Sequence, residues 1–258
     1  MISDKKLVKI ILDFTYVLDD SVILKWLETL EEGDFILYIT DDPKKAERAH
    51  ETGLAVLIYL HENNKHCSFN GFRYFIEGFE DADMKYLEGV YMREKKIPWV
   101  ICETERLRIR EMSMEDIDNL YSLYSDKSVV EYMEDLPADK EEEKRYITEY
   151  IDTMYGFYGY GMWLVELREG GEIIGRVGFQ NTEKEDVLEL GFMIIPEYQR
   201  QGYAYEACRG VLKYMQDRSE GYTFVASCHE KNIKAISFCH KLGIKLVPNI
   251  RNGGSLVI

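Results

Sequence analysis

Basic residues are scarce beside acids in this 258-residue chain. Thirty-two lysines and arginines stand against 47 aspartates and glutamates, a formal net charge of −15 at pH 7. So acidic a surface repels phosphate backbones, and no nucleic-acid partner is expected. Cysteine is also sparse. Cys67, Cys102, Cys208, Cys228 and Cys239 are odd in number and form no C-x-x-C pair. They read as free thiols in a reducing compartment, not as a disulfide framework or a zinc knuckle. The five histidines contain no i, i+4 pair, so no metal is expected. No apolar run approaches the roughly 18 residues of a membrane span, which removes the membrane as a partner. Acid and lysines share the first six residues and Asp13 breaks the apolar run that follows, so a signal peptide is not expected. The expected location is the cytoplasm.

What is present is ordinary globular material, 46% apolar and 31% charged. At about 150 residues per domain the length suits one or two domains. Residues 1 to about 98 alternate strand-length apolar runs (9–12, 35–40, 55–60, 74–76) with helical segments. Asp42, Pro43 and Gly53 punctuate the first clear helix, and a second is expected over 83–93. This pattern predicts a small α/β domain with a parallel sheet. A charged stretch ending at Pro98 marks the seam, and residues 99–258 form the second domain. There the expected order is strand 104–110, helix 114–125, a tyrosine-rich helix and loop over 143–161, then strands 162–167, 173–180 and 187–195. Helix 202–217, strand 222–227, helix 231–242 and strands 245–247 and 255–258 complete it. The biased segment 131–143, with seven acids and one lysine, reads as a solvated loop leading into a helix.

The most informative stretch runs from Leu188 to Ala204. An apolar strand enters a glycine-containing loop and then a helix with apolar residues at 204, 207, 208, 211, 212 and 215. Such a junction presents free N–H groups and a positive dipole end, and Gly202 lets the backbone approach an anion closely. Plain turn chemistry is the alternative.

Gln199-x-x-Gly202-x-Ala204 resembles the pyrophosphate loop of the GNAT superfamily of N-acetyltransferases. Three further segments resemble that family in the right order. They are Thr104-Glu105-Arg106-Leu107-Arg108-Ile109-Arg110, Glu189-Leu190-Gly191-Phe192-Met193-Ile194, and Asn232-x-x-Ala235-x-x-Phe238-Cys239-x-Lys241-Leu242-Gly243-Ile244. The first two resemble the branch that acetylates ribosomal-protein N-termini. The resemblance covers residues 103–258 and implies an α/β (α+β) GNAT fold with a mixed, mostly antiparallel central sheet.

The resemblance also implies roles. Gln199, Arg200, Gln201, Gly202, Tyr203 and Ala204 would wrap the pyrophosphate of acetyl-CoA, the expected cosubstrate. Phe192, Met193, Ile194 and Ile195 would lie along its pantetheine arm, with a Met193 N–H polarising the thioester, and Asn232 would bond the cofactor or simply cap its helix. Glu189 would be the general base, or else a solvated carboxylate at a strand edge. Many relatives carry a tyrosine seven positions after the asparagine; here Cys239 stands there, either as general acid or as an inert core thiol. Tyr155, Tyr158 and Trp163 would hold the acceptor by cation–π contact, or pack the helix onto the sheet. The expected acceptor is a small cationic amine or a basic protein N-terminus, and a homodimer is one open oligomeric state.

The first domain weakly resembles part of a haloacid-dehalogenase-like core, with Asp13-Phe14-Thr15 after its first strand. Active members have a second Asp where Thr15 stands, so a non-catalytic domain is expected. Asp41, Asp42, Asp81 and Asp83 read as helix caps before magnesium ligands. Two rival functions stay open: an acyl-CoA-binding sensor without turnover, and a phosphatase in the first domain.

Overall fold

The computed structural model describes residues 9–17, 36–80, 82–132, 136–218 and 221–248. The chain divides into two compact units, Met1–Ile97 and Pro98–Ile258.

In the first unit β1 (Lys9–Leu12), β2 (Ile36–Thr40), β3 (Ala55–Tyr59) and β4 (Phe75–Ile76) form a sheet in that order, parallel throughout. Side-chain alternation along β2 and β3 sends Leu37, Ile39, Ala55 and Leu57 to one face and Val56 and Ile58 to the other. Helix α1 (Pro43–Glu51) covers the second face with Ala46 and Ala49. Helix α2 (Met84–Glu94) covers the first with Leu87 and Val90. Asp42 caps α1 through the N–H groups of Lys44 and Lys45, and Asp83 caps α2 through that of Tyr86. Asp81 lies outside the described residues.

Among the described residues the second unit is built on a seven-stranded mixed sheet. Its strands are β5 (Val100–Glu103), β6 (Leu107–Arg110), β7 (Met162–Leu167), β8 (Ile173–Asn181), β9 (Val187–Ile194), β10 (Thr223–Ser227) and β11 (Lys245–Val247). Pairing is antiparallel from β5 to β9 and parallel from β9 through β10 to β11. Strand β5 was not anticipated, because Val100–Glu103 is a short run with no alternation of its own. The expected strand over 255–258 lies outside the described residues.

Helix α3 (Ile117–Leu123) is followed by the short α4 (Lys127–Val130) and by α5 (Lys140–Tyr150). Helix α5 runs on as a π-helix, Ile151–Tyr158, ending at Gly159 in the left-handed region (φ 76°). Helix α6 (Tyr203–Arg218) buries Ala207, Cys208, Val211, Tyr214 and Met215, and α7 (Ile233–Leu242) buries Cys239 and Leu242. Trp163 and Phe179 meet in a T-shaped contact, and Trp163 meets Tyr214 of α6 in another. Arg176, of opposite parity to Val177 and Phe179 on β8, instead donates to the Tyr124 hydroxyl at the end of α3. Alternation therefore sets α6 and the end of α3 on opposite faces.

Candidate functional site

Strands β9 and β10 run together for only three rungs. Thr223, Phe224 and Val225 pair with Val187, Leu188 and Glu189. Beyond that point β9 pairs with β8 alone, while Ala226 and Ser227 pair only with Leu246 and Val247 of β11. The sheet opens there into a cleft with Glu189 at its apex. Ser227 Oγ donates a hydrogen bond across the apex to Glu189 Oε1. Among the described residues no strand pairs with this edge of residues 190–194, which leaves a template for an extended ligand.

The phase of the β8–β9 ladder decides which groups face that edge. Ile195 N–H donates to Ile174 C=O at 3.0 Å, and the same antiparallel register pairs Met193 with Arg176. Bonded and non-bonded pairs alternate, so Met193 and Ile195 direct their N–H groups into the sheet. Those of Phe192 and Ile194 face the cleft. The expected thioester donor at Met193 is thereby corrected: its N–H faces β8. Two residues of β8 are glycines for a reason of space. A Cβ on Gly175 would lie 2.1 Å from the Met193 carbonyl oxygen, and one on Gly178 would lie 1.9 Å from that of Gly161.

After Ile195, a 3₁₀ turn (Pro196–Tyr198) leads into the loop. Gln199, Arg200, Gln201 and Gly202 are exposed. Arg200 and Gly202 both take positive φ, 64° and 88°. Alternation of such residues turns successive N–H groups inward as an anion-binding concavity, here at the start of the 16-residue α6. Gln199 contributes a brace: its Nε2 donates to Ile194 C=O at 2.8 Å, tying the loop to the open edge of β9. Gln201 Nε2 similarly donates to Glu197 C=O at 2.9 Å.

Arg106 was missed as a functional residue. Its Nη1 donates to Gln201 C=O at 3.1 Å, and its guanidinium lies 4.1 Å from the centre of the Tyr203 ring. Glu206, in the first turn of α6, holds Arg106 at 2.7 Å and also accepts from Thr104 Oγ1 and Arg106 N–H. Burial works against the Glu206 charge, but these donors outweigh it and hold the carboxyl below its usual range. The only sequence signal was an arginine at the head of an alternating strand, which does not say what it faces.

Asn232 Oδ1 accepts from Ala235 N–H at 3.1 Å, capping α7. Phe192 of β9 and Phe238 of α7 meet in a tilted contact with ring centres 4.5 Å apart. Cys239 is completely buried, so its thiol has no surface with which to meet a cofactor, and the general-acid expectation fails on that ground. Its sulfur lies 3.8 Å from that of Cys228, which follows β10 and is half-buried.

The three expected acceptor aromatics separate. Trp163 is 0% and Tyr155 1% exposed; both are core side chains, and the acceptor expectation is corrected for them. Tyr155 Oη donates to Met162 C=O at 2.5 Å, locking the π-helix onto β7. Burial pushes its hydroxyl well above the usual tyrosine range. Tyr158 is 44% exposed and alone keeps a surface. A buried charge network also lay beyond sequence reasoning. Arg110 binds Asp116 through two nitrogens and Glu166 through a third, each at 2.8 Å.

In the first unit the acids at the carboxyl ends of the strands are occupied internally. Lys45 pairs with Asp13 and the Tyr38 hydroxyl donates to it, which together hold the Asp13 carboxyl below its usual range. Buried Asp41 accepts from the N–H groups of Thr15 and Tyr16 and lies 3.1 Å from His61 Nε2. Nothing in this arrangement favours the phosphatase reading.

A mixed sheet that opens between two parallel strands, with a glycine loop and a helix start beside the opening, defines an acyl-coenzyme-A transferase architecture. The family description "Acetyltransferase (GNAT) domain" matches residues 106–245, more than half of the chain. The uncharacterized N-acetyltransferase YnaD of Bacillus subtilis (strain 168) is 29% identical over 143 residues, 55% of this chain and 81% of that protein. The crystal structure of a GNAT-family acetyltransferase from Bacillus anthracis is 25% identical, with a TM-score of 0.47 over 55% of this chain and 81% of that one. RimL, a ribosomal L7/L12 alpha-N-protein acetyltransferase solved in complex with coenzyme A, is 18% identical, with a TM-score of 0.49 over 62% of this chain and 91% of its own. The chain belongs to the GNAT family of N-acetyltransferases.

Proposed function

We propose that the second unit transfers an acetyl group from acetyl-CoA to a primary amine by direct attack in a ternary complex. The observation that carries this reading is the parting of β9 and β10 with Glu189 at the apex and the Gln199–Ala204 loop beside it. The loop and the start of α6 would take the pyrophosphate, and the open edge at Phe192 and Ile194 would pair with the pantetheine amides. One of those two N–H groups would polarise the thioester carbonyl as charge develops on its oxygen.

An amine must lose a proton to attack. An α-amine with a pKa near 7.7–8.0 is roughly one-tenth neutral at pH 7, and a lysine amine near 10.4 is almost wholly charged. Glu189 would accept the proton, directly or through one water, with Ser227 fixing its carboxylate. The acidic surface favours a cationic acceptor, a small amine or a basic protein N-terminus. Tyr158 is the aromatic available to contact it. In this reading the first unit is non-catalytic and the protein works in the cytoplasm; no described helix is long and apolar enough to cross a membrane.

Thermal unfolding with and without acetyl-CoA tests the reading. Ligand at a hundred times its Kd stabilises by about 2.7 kcal/mol, which raises Tm by roughly 5 to 10 °C for a domain of this size. The native chain should show that shift and Gly202→Glu should not. An unmoved native chain would remove the cofactor from the reading.

A further inference from the structure

The acetyl-transfer reading uses neither Cys228 nor Cys239, yet the structure sets their sulfurs 3.8 Å apart. Cys228 stands directly after β10, one residue beyond the Ser227 that holds Glu189, and Cys239 projects from the second turn of α7. A disulfide needs about 2.05 Å between sulfurs. The gap to be closed is therefore about 1.8 Å, within reach of side-chain rotation and a small shift of the segment after β10. The two thiols differ as an attacking and a resolving thiol should. Cys228 is half-buried and reachable, whereas Cys239 is sealed in the core.

We infer that Cys228 and Cys239 are a redox-active dithiol, which low-molecular-weight disulfides convert to an intramolecular disulfide that halts acetyl transfer. The chemistry balances in two exchanges. The Cys228 thiolate attacks one sulfur of R–S–S–R, releasing R–S⁻ and leaving a mixed disulfide on Cys228. Cys239 then gives its proton to a departing thiolate, and its sulfur displaces the second R–S⁻ from Cys228. The two protein sulfurs are oxidised, the two reagent sulfurs are reduced, and both protein protons leave on the two R–SH products. The hydrogen bond from Cys239 lowers the Cys228 pKa and favours Cys228 as first nucleophile. The same contact, together with burial, raises that of Cys239.

The halting effect rests on the acetyl-transfer reading, because it acts through Ser227 and Glu189; the formation of the bond does not. Drawing Cys228 toward α7 displaces the neighbouring Ser227 from the Glu189 carboxylate at the apex of the cleft.

The test treats the full chain with oxidised glutathione, blocks the remaining thiols with iodoacetamide, and maps cysteines by peptide mass spectrometry alongside acetyl-CoA turnover. Native protein should show a Cys228–Cys239 cross-link, with turnover lowered at least tenfold and restored by dithiothreitol. Cys239→Ala should accumulate a glutathione adduct at Cys228. Cys228→Ala should form neither product and should keep its own untreated rate after oxidation. Recovery of Cys228 and Cys239 as carbamidomethyl derivatives from treated native protein would overturn the dithiol. A mapped cross-link with unchanged turnover would overturn its control of the reaction while leaving the bond standing. Absence of turnover before any oxidant would count against the acetyl-transfer reading, and the cross-link map would still decide the dithiol.

Discussion

Ser227 and Glu189 meet across the point where β9 and β10 separate, the hydroxyl of one donating to the carboxylate of the other. Glu189 is the last residue of β9 paired with β10, and Ser227 lies two residues past its partner Val225. The contact engages one carboxylate oxygen, Oε1.

Removing that carboxylate should cost more than removing its brace. With an amine acceptor in hand, Glu189→Gln should lower kcat by roughly 10²- to 10⁴-fold, the usual range for general-base catalysis. The rise of rate with pH should then follow the amine alone. Ser227→Ala should lower kcat by at least about tenfold, though less than Glu189→Gln, and keep the same form of pH profile. Equal losses in both variants would argue that the pair is structural.

Gly175→Ala should damage the β9 edge from behind. The new methyl carbon would sit 2.1 Å from the Met193 carbonyl oxygen, so strand β9 must move. Overpacking of this kind costs about 1–3 kcal/mol. The expected outcome is a lower Tm together with weaker acetyl-CoA binding by calorimetry. An unchanged affinity would separate the β9 edge from cofactor binding.

Trp163 and Tyr158 should fail in different ways. Trp163 is fully buried between Phe179 and Tyr214, and truncation to Ala should cost about 3–5 kcal/mol in denaturant unfolding. Tyr158→Ala should leave stability nearly unchanged and raise KM for the amine. Steady-state kinetics on the same pair of variants completes the comparison.

Arg110→Met should destabilise by about 3–5 kcal/mol at neutral pH, since it leaves buried carboxylates without their partner. Burial opposes the Asp116 charge, but Arg110 and Ser113 outweigh it and hold its folded pKa below the usual carboxylate range. A depressed folded pKa stabilises fully above the unfolded value of about 3.9 and is lost as pH falls through the folded one. The deficit of the variant should therefore be largest near neutrality and narrow below about pH 4. Urea midpoints across that range measure it.

Much of the fold was legible because local chemistry and tertiary structure agree. Strands 162–167 and 245–247 fall where the apolar runs end, and α1 begins at Pro43 behind the Asp42 cap. The helix after Gly202 buries Ala207, Cys208, Val211 and Met215 of the stripe its spacing describes, with Ala204 and Leu212 half-buried and Tyr214 buried beside them. Where a residue has two plausible environments, as for Trp163, Tyr155 and Cys239, aromatic or thiol character does not decide which surrounds it. Burial follows from what the rest of the chain brings alongside.

The sequence by itself determined the order of most strands and helices, because periodicity, glycine placement and helix punctuation are local signals, and its motifs carried the resemblance to the family of fold. Only the tertiary structure decided that β9 leaves β10 after Glu189, that Ser227 meets its carboxylate, and that the N–H groups of Phe192 and Ile194 face the cleft while that of Met193 faces β8. It also decided that two cysteines eleven positions apart lie against each other. The reason is that strand alternation has a period of two and ladder bonding has a phase. One sequence pattern fits either phase, and the choice is made by the partner strand.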